Sequence, residues 1–351
     1  MASNKDLNKL KANPDDEFYT RLSDINAELK HYKHHFKDKV VLCNCDDPRI
    51  SNFTRFFVMN FRLLGLKKLI TTCYKNQDSN LFSSGDSEKA VYMEYTGTTA
   101  ANAIPTPDEI GVKELKGDGS FDSPECIELL KEADIVVTNP PFSLFKEYVS
   151  LLIKHNKKFL ILGNVNALSY KEIFPLIANN LMWLGASIHS GDRKFNVPDD
   201  YPLQAAGCGI DEDGNRYIRV KGVRWFTNMD YKERHEELVL FNQYNPEQYP
   251  KYYNFDAINV DKTTDIPCDY DGLIGVPITF MDKYNPDQFE IIGLGIANLG
   301  LSIGVKPYTP EHKKYRKEVQ KRGAVDGDLY MMDGNVVTVP YARVIIKRKN
   351  L

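Results

Sequence analysis

Four short apolar runs constrain the fold of this 351-residue chain more than any other feature: KVVLCNC (39–45), LKKLITTCY (66–74), ADIVVTN (133–139) and KKFLILGNV (157–165). Each is β-branched or leucine-rich and ends in polar or turn-forming residues, as strands buried on both faces do. Helix-period segments lie between them. SPECIELLKEA (123–133) opens on Ser123 as an N-cap. LFKEYVSLLIKHN (144–156) puts Leu144, Tyr148, Leu151 and Leu152 on one face. Ahead of the first strand, SDINAELKHYKHHF sets Ile25, Leu29, Tyr32 and Phe36 on one stripe, which predicts a helix packed on the sheet. Strand and helix alternate, so an α/β fold is expected, a doubly wound parallel sheet with helices on both sides. Residues 75–111 read as one long loop, a kind more often functional or mobile than structural. After about residue 230 aromatic residues, Asn and Pro crowd FNQYNPEQYPKYYNFDAINV, and strand-like pieces follow at IGVPITFM and YARVIIKRK. A second, mixed α+β domain is expected there.

The composition, 42% hydrophobic and 26% charged, is that of a folded soluble chain. No apolar run approaches the ~20 residues a membrane helix needs. The polar start MASNKDLNKLKANPDDEFYT resembles neither a secretory signal nor a transit peptide, so a cytoplasmic location is expected. The six cysteines form no CxxC pair, so they are read as reduced thiols and no metal is expected. The formal charge is −3, so no global field draws nucleic acid. Locally, residues 306–351 carry eleven Lys and Arg against five Asp and Glu, densest in EHKKYRKEVQKR. That run is either a solvated helix face or a phosphate contact through Lys313, Lys314, Arg316 and Lys317.

The third apolar run ends in TNPPF (138–142). Proline cannot donate to a sheet ladder, so the strand stops there and leaves an amide and an aromatic ring at the carboxyl edge. Open α/β sheets bind their ligands at that edge. The first strand ends in CNCDDPRISNF, where Asp46, Asp47, Pro48, Ser51 and Asn52 stand in place of the usual glycine-rich turn. LKGDGSF places Asp118 between two glycines after the strand GVKEL, which alone reads as a tight turn. DEFYT (16–20) sets Phe18, Tyr19 and Thr20 ahead of the helix, where an aromatic pair is usually a hydrophobic staple.

Together and in this order, DEFYT, CDDPR, GDG and TNPPF resemble the motifs of amino-methylating DNA methyltransferases that use S-adenosylmethionine, and within them the EcoRI adenine-N6 methyltransferase family. Nearly the whole chain takes part. VLCNCDDPRISNF resembles that family's first cofactor loop, and DIVVTNPPFSLFKEY its catalytic strand and helix. YPKYYNFDAINVDKTTDIPCDYDGLIGVPITF and YNPDQFEIIG resemble stretches of its second half. The resemblance implies a Rossmann-like methyltransferase sheet with a C-terminal target-recognition domain. It divides the chain into a cofactor-covering segment (1–36), a catalytic domain (37–230) and a DNA target-recognition region (231–351). It implies that Asp46, Asp47 and Pro48 line the S-adenosylmethionine pocket, that Asn139 contributes to it, and that Asp118 receives the cofactor's adenine amine. Phe18, Tyr19 and Thr20 would close over the methionine tail. Many relatives end the second strand in an acid that holds the ribose, whereas here it ends ITTCYK; Glu94 is the substitute considered. Implied partners are double-stranded DNA, with GAATTC as the first sequence to test, and a cognate restriction endonuclease; the chain is expected to act as a monomer.

The chemistry suits an exocyclic amine. Adenine N6 is a poor nucleophile because its lone pair is delocalised into the ring. The Asn139 side-chain oxygen and the Pro140 carbonyl are two acceptors for its protons, and Pro141 holds Pro140 extended. Phe142 would stack on the base, an interaction worth ~1–3 kcal/mol. The base must leave the duplex to reach this corner. Phe195 is the candidate for a second apolar wall, with a core role as its alternative; Trp225 is assigned to the core. Competing readings are an RNA or protein-glutamine methyltransferase with the same NPPF chemistry, a non-enzymatic DNA-binding relative, and a nuclease, which would need clustered metal-binding carboxylates.

Overall fold

In the computed structural model, residues 20–45, 47–74, 89–97, 104–187, 192–197, 203 and 207–349 are described. The chain divides into two compact units, one running to Ala167 and including Trp183–Tyr231, the other made of Leu168–Met182 and the chain from Lys232 onward.

The first unit starts with α1 (Leu22–Leu29), which tightens into a 3₁₀ turn at Lys30–His35. The stripe read from the sequence is buried throughout: Ile25, Leu29, Tyr32 and Phe36 are all at most 1% exposed. Then come β1 (Val40–Asn44), α2 (Asn52–Leu64), β2 (Lys68–Cys73), β3 (Val91–Tyr95), α3 (Pro107–Ile110), β4 (Val112–Glu114), α4 (Pro124–Glu132), β5 (Ile135–Thr138), α5 (Phe145–Lys154) and β6 (Lys158–Asn164). After them follow β7 (Trp183–Leu184), β8 (Asp192–Asn196), β9 (Gly209–Ile210), β10 (Arg216–Lys221) and β11 (Val223–Thr227).

Eight of these strands form one sheet in the order β4-β3-β2-β1-β5-β6-β11-β7. The four predicted runs are its parallel centre, with β1 between β2 and β5 and with β5 beside β6. The flanks differ from expectation: β3 on one side and β11 on the other run antiparallel to the centre, and the edge strands β4 and β7 pair antiparallel with them, so the sheet is mixed. The long loop expected over 75–111 is corrected in the same way, since it contains β3. Its VYMEY alternates buried and half-buried residues, the pattern of a strand with one wetter face, and was masked by the polar segments around it.

Helices cover both faces. Adjacent residues of β11 point opposite ways, and Trp225 meets Phe53 of α2 edge-on at 6.2 Å while Phe226 packs on Phe145 of α5 at 4.9 Å. Burial of each such ring contributes ~1.5–3 kcal/mol relative to exposure. The result is a mixed α/β architecture compatible with a Rossmann-like methyltransferase sheet. β8, β9 and β10 form a separate three-stranded antiparallel sheet.

In the second unit, α6 (Phe174–Ala178) packs against β14 (Phe289–Leu294). β14 lies in a four-stranded sheet with β12 (Ile258–Asn259), β13 (Ile274–Pro277) and β17 (Arg343–Arg348), in the order β12-β13-β17-β14. β15 (Met331–Asp333) and β16 (Val336–Thr338) make a hairpin. The helices here are α7 (Ala297–Ser302) and α8 (Pro310–Glu318). No helix among the described residues is long and apolar enough to cross a membrane.

Candidate active site

Strand order reverses at β1, with β2 on one side and β5 on the other, and ligands of open α/β sheets sit at the carboxyl ends beside such a point. The residues that end these strands therefore define the candidate site.

β1 ends at Asn44, and Cys45 follows with φ +87°. That left-handed geometry is normally supplied by glycine and costs a side-chain-bearing residue roughly 1–2 kcal/mol. The glycines of the usual loop are gone, but at this position the turn they make is kept. Asp46 lies outside the described residues. Asp47 is buried; its carboxylate accepts from the Arg49 backbone N–H at 2.8 Å and from Arg49 Nη1 at 3.2 Å. Its carbonyl accepts from Ser51 N at 2.9 Å, and Pro48 is buried beside it. Ser51 caps α2 by accepting from Thr54 N. Asn52 Nδ2 donates to the Thr20 carbonyl at 2.9 Å, which brings Thr20 and the β1 loop together. Thr20 is 3% exposed, and its Oγ1 has no hydrogen-bond partner among the described residues. Phe18 and Tyr19 lie outside the described residues.

At the end of β2 sits the GDG turn. Asp118 is half-buried and accepts from Ser120 N at 2.9 Å. Gly119 has φ +75°, and a Cβ there would collide with the Cys73 carbonyl oxygen and come within 2.8 Å of the Ala90 side chain. Only glycine lets Asp118 stand this close to the strand. Glu94, the ribose substitute considered, is placed elsewhere. It pairs with Ile70 toward the amino end of β2 and is bound to Lys68 at 2.7 Å. The antiparallel course of β3, unread in the sequence, carries it away from the carboxyl edge.

At the end of β5, Asn139 is 8% exposed and Pro140 is buried, while Pro141 and Phe142 are half-buried. Pro141 is extended (φ −54°, ψ 126°) and leads into a 3₁₀ turn over Phe142–Leu144, closed by Leu144 N donating to the Pro141 carbonyl at 3.0 Å. Two contacts tie this corner to β1. Thr138 Oγ1 donates to the Asn44 carbonyl, and the Tyr148 hydroxyl of α5 donates to Asn44 Oδ1. Tyr148 is fully buried, which pushes its phenol well above the ordinary value and keeps it a donor. Phe121, next to the GDG turn, meets the Tyr148 ring edge-on at 5.0 Å. These ties were missed from sequence. Periodicity placed Tyr148 inside correctly but says nothing about where a hydroxyl points, and its partner is 104 residues away.

Phe195 of β8 is 2% exposed in the large apolar cluster of the first unit, against which Phe142 also packs; Trp225 is 1% exposed in the same cluster. The four cations of α8 divide. Lys313 binds Asp326 at 2.7 Å, and Arg316 binds the Gly323 carbonyl and Gln320. Lys314 and Lys317 are exposed, with Lys314 at 3.9 Å from Glu318. None of the six cysteines is in a disulfide. Among the described residues no group of three or more His, Cys, Asp or Glu could hold a metal ion.

The family model described as "Adenine-specific methyltransferase EcoRI" matches residues 6–349. The chain is 50% identical over 312 residues to the type II methyltransferase M.EcoRI of Escherichia coli, covering 88% of this chain and 95% of that protein. It is 40% identical over 290 residues to the type II methyltransferase M.MpnI of Mycoplasma pneumoniae, covering 82% and 84%. It is 36% identical over 350 residues to the type II methyltransferase M.MgeORF184P of Mycoplasma genitalium, covering 98% and 99%. No solved structure matches the chain significantly.

Proposed function

The chain belongs to the EcoRI family of adenine-specific type II DNA methyltransferases, and from that premise we propose that it flips its target adenine out of the duplex and methylates N6 by direct displacement. The family decides among the readings left open by the sequence in favour of adenine in DNA. The observation that carries the mechanism is the Asn139–Pro140–Pro141–Phe142 corner, held at the strand-order reversal by Thr138 and Tyr148 on Asn44.

S-adenosylmethionine is the proposed cofactor, and the residues fit it. Thr20 has a buried hydroxyl with no hydrogen-bond partner among the described residues, the β1 turn keeps its left-handed residue at Cys45, and the carboxylates Asp47 and Asp118 stand at the ends of adjacent strands. When bound, the cofactor supplies an electrophilic methyl group on a sulfonium. Asp46, Asp47 and Pro48 line its pocket, Asp118 accepts its adenine amine, and Phe18, Tyr19 and Thr20 close over the methionine end. Asn139 Oδ1 and the Pro140 carbonyl accept hydrogen bonds from the two N6 protons and draw the nitrogen toward tetrahedral geometry, which localises its lone pair; as the N6–methyl bond forms, the methyl–sulfur bond breaks and N6 releases one of its protons to solvent. Because both acceptors are fixed before the base arrives, positioning and electrostatics supply most of the acceleration. Phe142 stacks on the base. Phe195 supplies the second wall, which requires its ring to be uncovered as the base enters.

The region 231–351 is proposed to read the target sequence, GAATTC being the first to test, with Lys314 and Lys317 as phosphate contacts and with Lys313 and Arg316 bracing the 320–326 loop. A cytoplasmic monomer acting beside a cognate endonuclease completes the reading. Sequencing-based mapping of modified adenines in DNA from cells expressing the chain, with labelled methyl transfer to duplex DNA in vitro, tests it. N6-methyladenine at one short sequence is expected; methyl groups on any other atom overturn the mechanism.

A further inference from the structure

The three-stranded sheet beside the catalytic corner has two chemically different faces. β8 and β10 pair as Asp192↔Lys221, Arg193↔Val220, Lys194↔Arg219, Phe195↔Ile218 and Asn196↔Tyr217. Residues directly opposite in an antiparallel pair share a face, and successive residues alternate. Phe195 and Ile218 therefore face the core, where both are buried. Lys194, Tyr217, Arg219 and Lys221 share the outer face with Asn196 and one carboxylate, Asp192. Arg219 and Lys221 are exposed, and Lys194 is half-exposed with Nζ 4.4 Å from the centre of the Tyr217 ring. The ion pairs of this sheet use other cations, Arg21 with Asp211 at 2.9 Å and Arg193 with Asp24 at 3.7 Å. Among the described residues, Lys194, Arg219 and Lys221 have no acidic partner within ion-pair distance.

The position of this face is fixed by the end of β10. Asn164 Nδ2 donates to the Lys221 carbonyl at 3.1 Å, and Val165 N donates to the Gly222 carbonyl at 2.6 Å. Asn164 ends β6, which runs parallel to β5, so this end of the cationic face rises from the same sheet edge as Asn139. Cross-strand and same-strand neighbours on one face lie ~5–7 Å apart. Duplex DNA offers a negative charge about every 1.7 Å of its axis, so all three cations can be met at once. A chain of net charge −3 must make its attraction to DNA locally.

We infer that the outer face of the β8–β10 sheet, through Lys194, Arg219 and Lys221, holds the sugar–phosphate backbone of the DNA next to the target adenine. The inference rests on the reading of the chain as a DNA adenine methyltransferase. It assigns DNA anchoring to the catalytic unit itself, beside the corner that receives the base.

The test compares the wild-type chain with Lys194→Gln/Arg219→Gln/Lys221→Gln, using a fluorescent duplex that carries one adenine already mapped as methylated. Binding is followed by anisotropy from 50 to 300 mM salt, and methyl transfer by single turnover. Loss of three phosphate contacts lowers the slope of log K against log salt by about 2.7, with a rise in Kd of about tenfold or more near physiological salt. The single-turnover rate at saturating duplex and the affinity for S-adenosylmethionine stay near wild type, a split that a merely structural lesion would not give. An unchanged salt slope in a folded triple variant overturns the inference. Should the triple variant fail to fold, Arg219→Gln/Lys221→Gln, both at exposed positions, is read by the same criterion with an expected slope change of about 1.8. A wild-type chain that methylates no DNA would instead sink the functional reading.

Discussion

Asn139 has two demands on it, an acceptor for N6 and a fixed place from which to accept. Its strand supplies the second. Thr138 is bound to the Asn44 carbonyl and Pro140 is buried, so the backbone on either side of Asn139 keeps its own ties when the side chain is truncated. Asn139→Ala is expected to fold with a melting temperature near wild type and to lose methyl transfer by at least about 10²–10³-fold, the usual cost of one preorganised group at a reacting centre. Near-normal turnover would refute the role. Phe142 is half-buried, leaving ring surface for a base. Phe142→Ala should weaken base capture by roughly 5–150-fold, the equivalent of ~1–3 kcal/mol of stacking. Fluorescence of 2-aminopurine at the target position would report the loss, while S-adenosylmethionine affinity should hold; equal losses of both would count against stacking. At this scale the sequence was legible where chemistry is carried by residue type, as in Asn-Pro-Pro-Phe. It was silent where chemistry is carried by contact. Nothing in the order of residues says that Tyr148 reaches Asn44.

Elements buried on both faces announce themselves, and elements with one wet face do not. β1, β2, β5 and β6 are continuous apolar runs, hence readable. β3, β8 and β10 alternate or carry charge, and a strand such as RYIRVK is as polar as a loop until its partner is known. The expectation of a parallel sheet failed at β3 for that reason, and Glu94 was misplaced with it; β11 is buried throughout, but burial does not tell a strand's direction. The GDG turn was readable as a turn, but its purpose lies in packing: Gly119 allows the turn to sit on the end of β2. Gly119→Ala adds a collision with the Cys73 carbonyl to the ~1–2 kcal/mol cost of a left-handed alanine. The turn should shift and take Asp118 with it, so calorimetry should show S-adenosylmethionine affinity falling by tenfold or more with a modest drop in melting temperature. Gly334→Ala, also at positive φ but with open space around its Cβ, should incur only the backbone cost and keep cofactor affinity. Equal affinities for the two variants would show that the turn does not hold the cofactor.

For the whole molecule, the chain path matters as much as the fold of either unit. The catalytic sequence is interrupted: Leu168–Met182 leaves it, groups with the chain beyond Lys232, and returns as β7. Ile173, Phe174 and Ile177 of this excursion are each at most 2% exposed, and α6 packs on β14. Each buried side chain of this size contributes ~1.5–3 kcal/mol. A chain cut after Tyr231 keeps the whole eight-stranded sheet and both catalytic loops, yet strips the cover from these three apolar residues. An exposed cluster of that kind drives association between copies. Such a truncation is therefore expected to be aggregated on size exclusion and poor in soluble yield. The same truncation carrying Ile173→Ser, Phe174→Asn and Ile177→Ser should recover soluble monomer, because the sheet itself has lost nothing. If the unmodified truncation is already a soluble monomer at full-length yield, the excursion is covered from within the first unit and does not belong to the second. If the polar triple fails to recover it, the eight-stranded sheet depends on the second unit for more than the shielding of these residues.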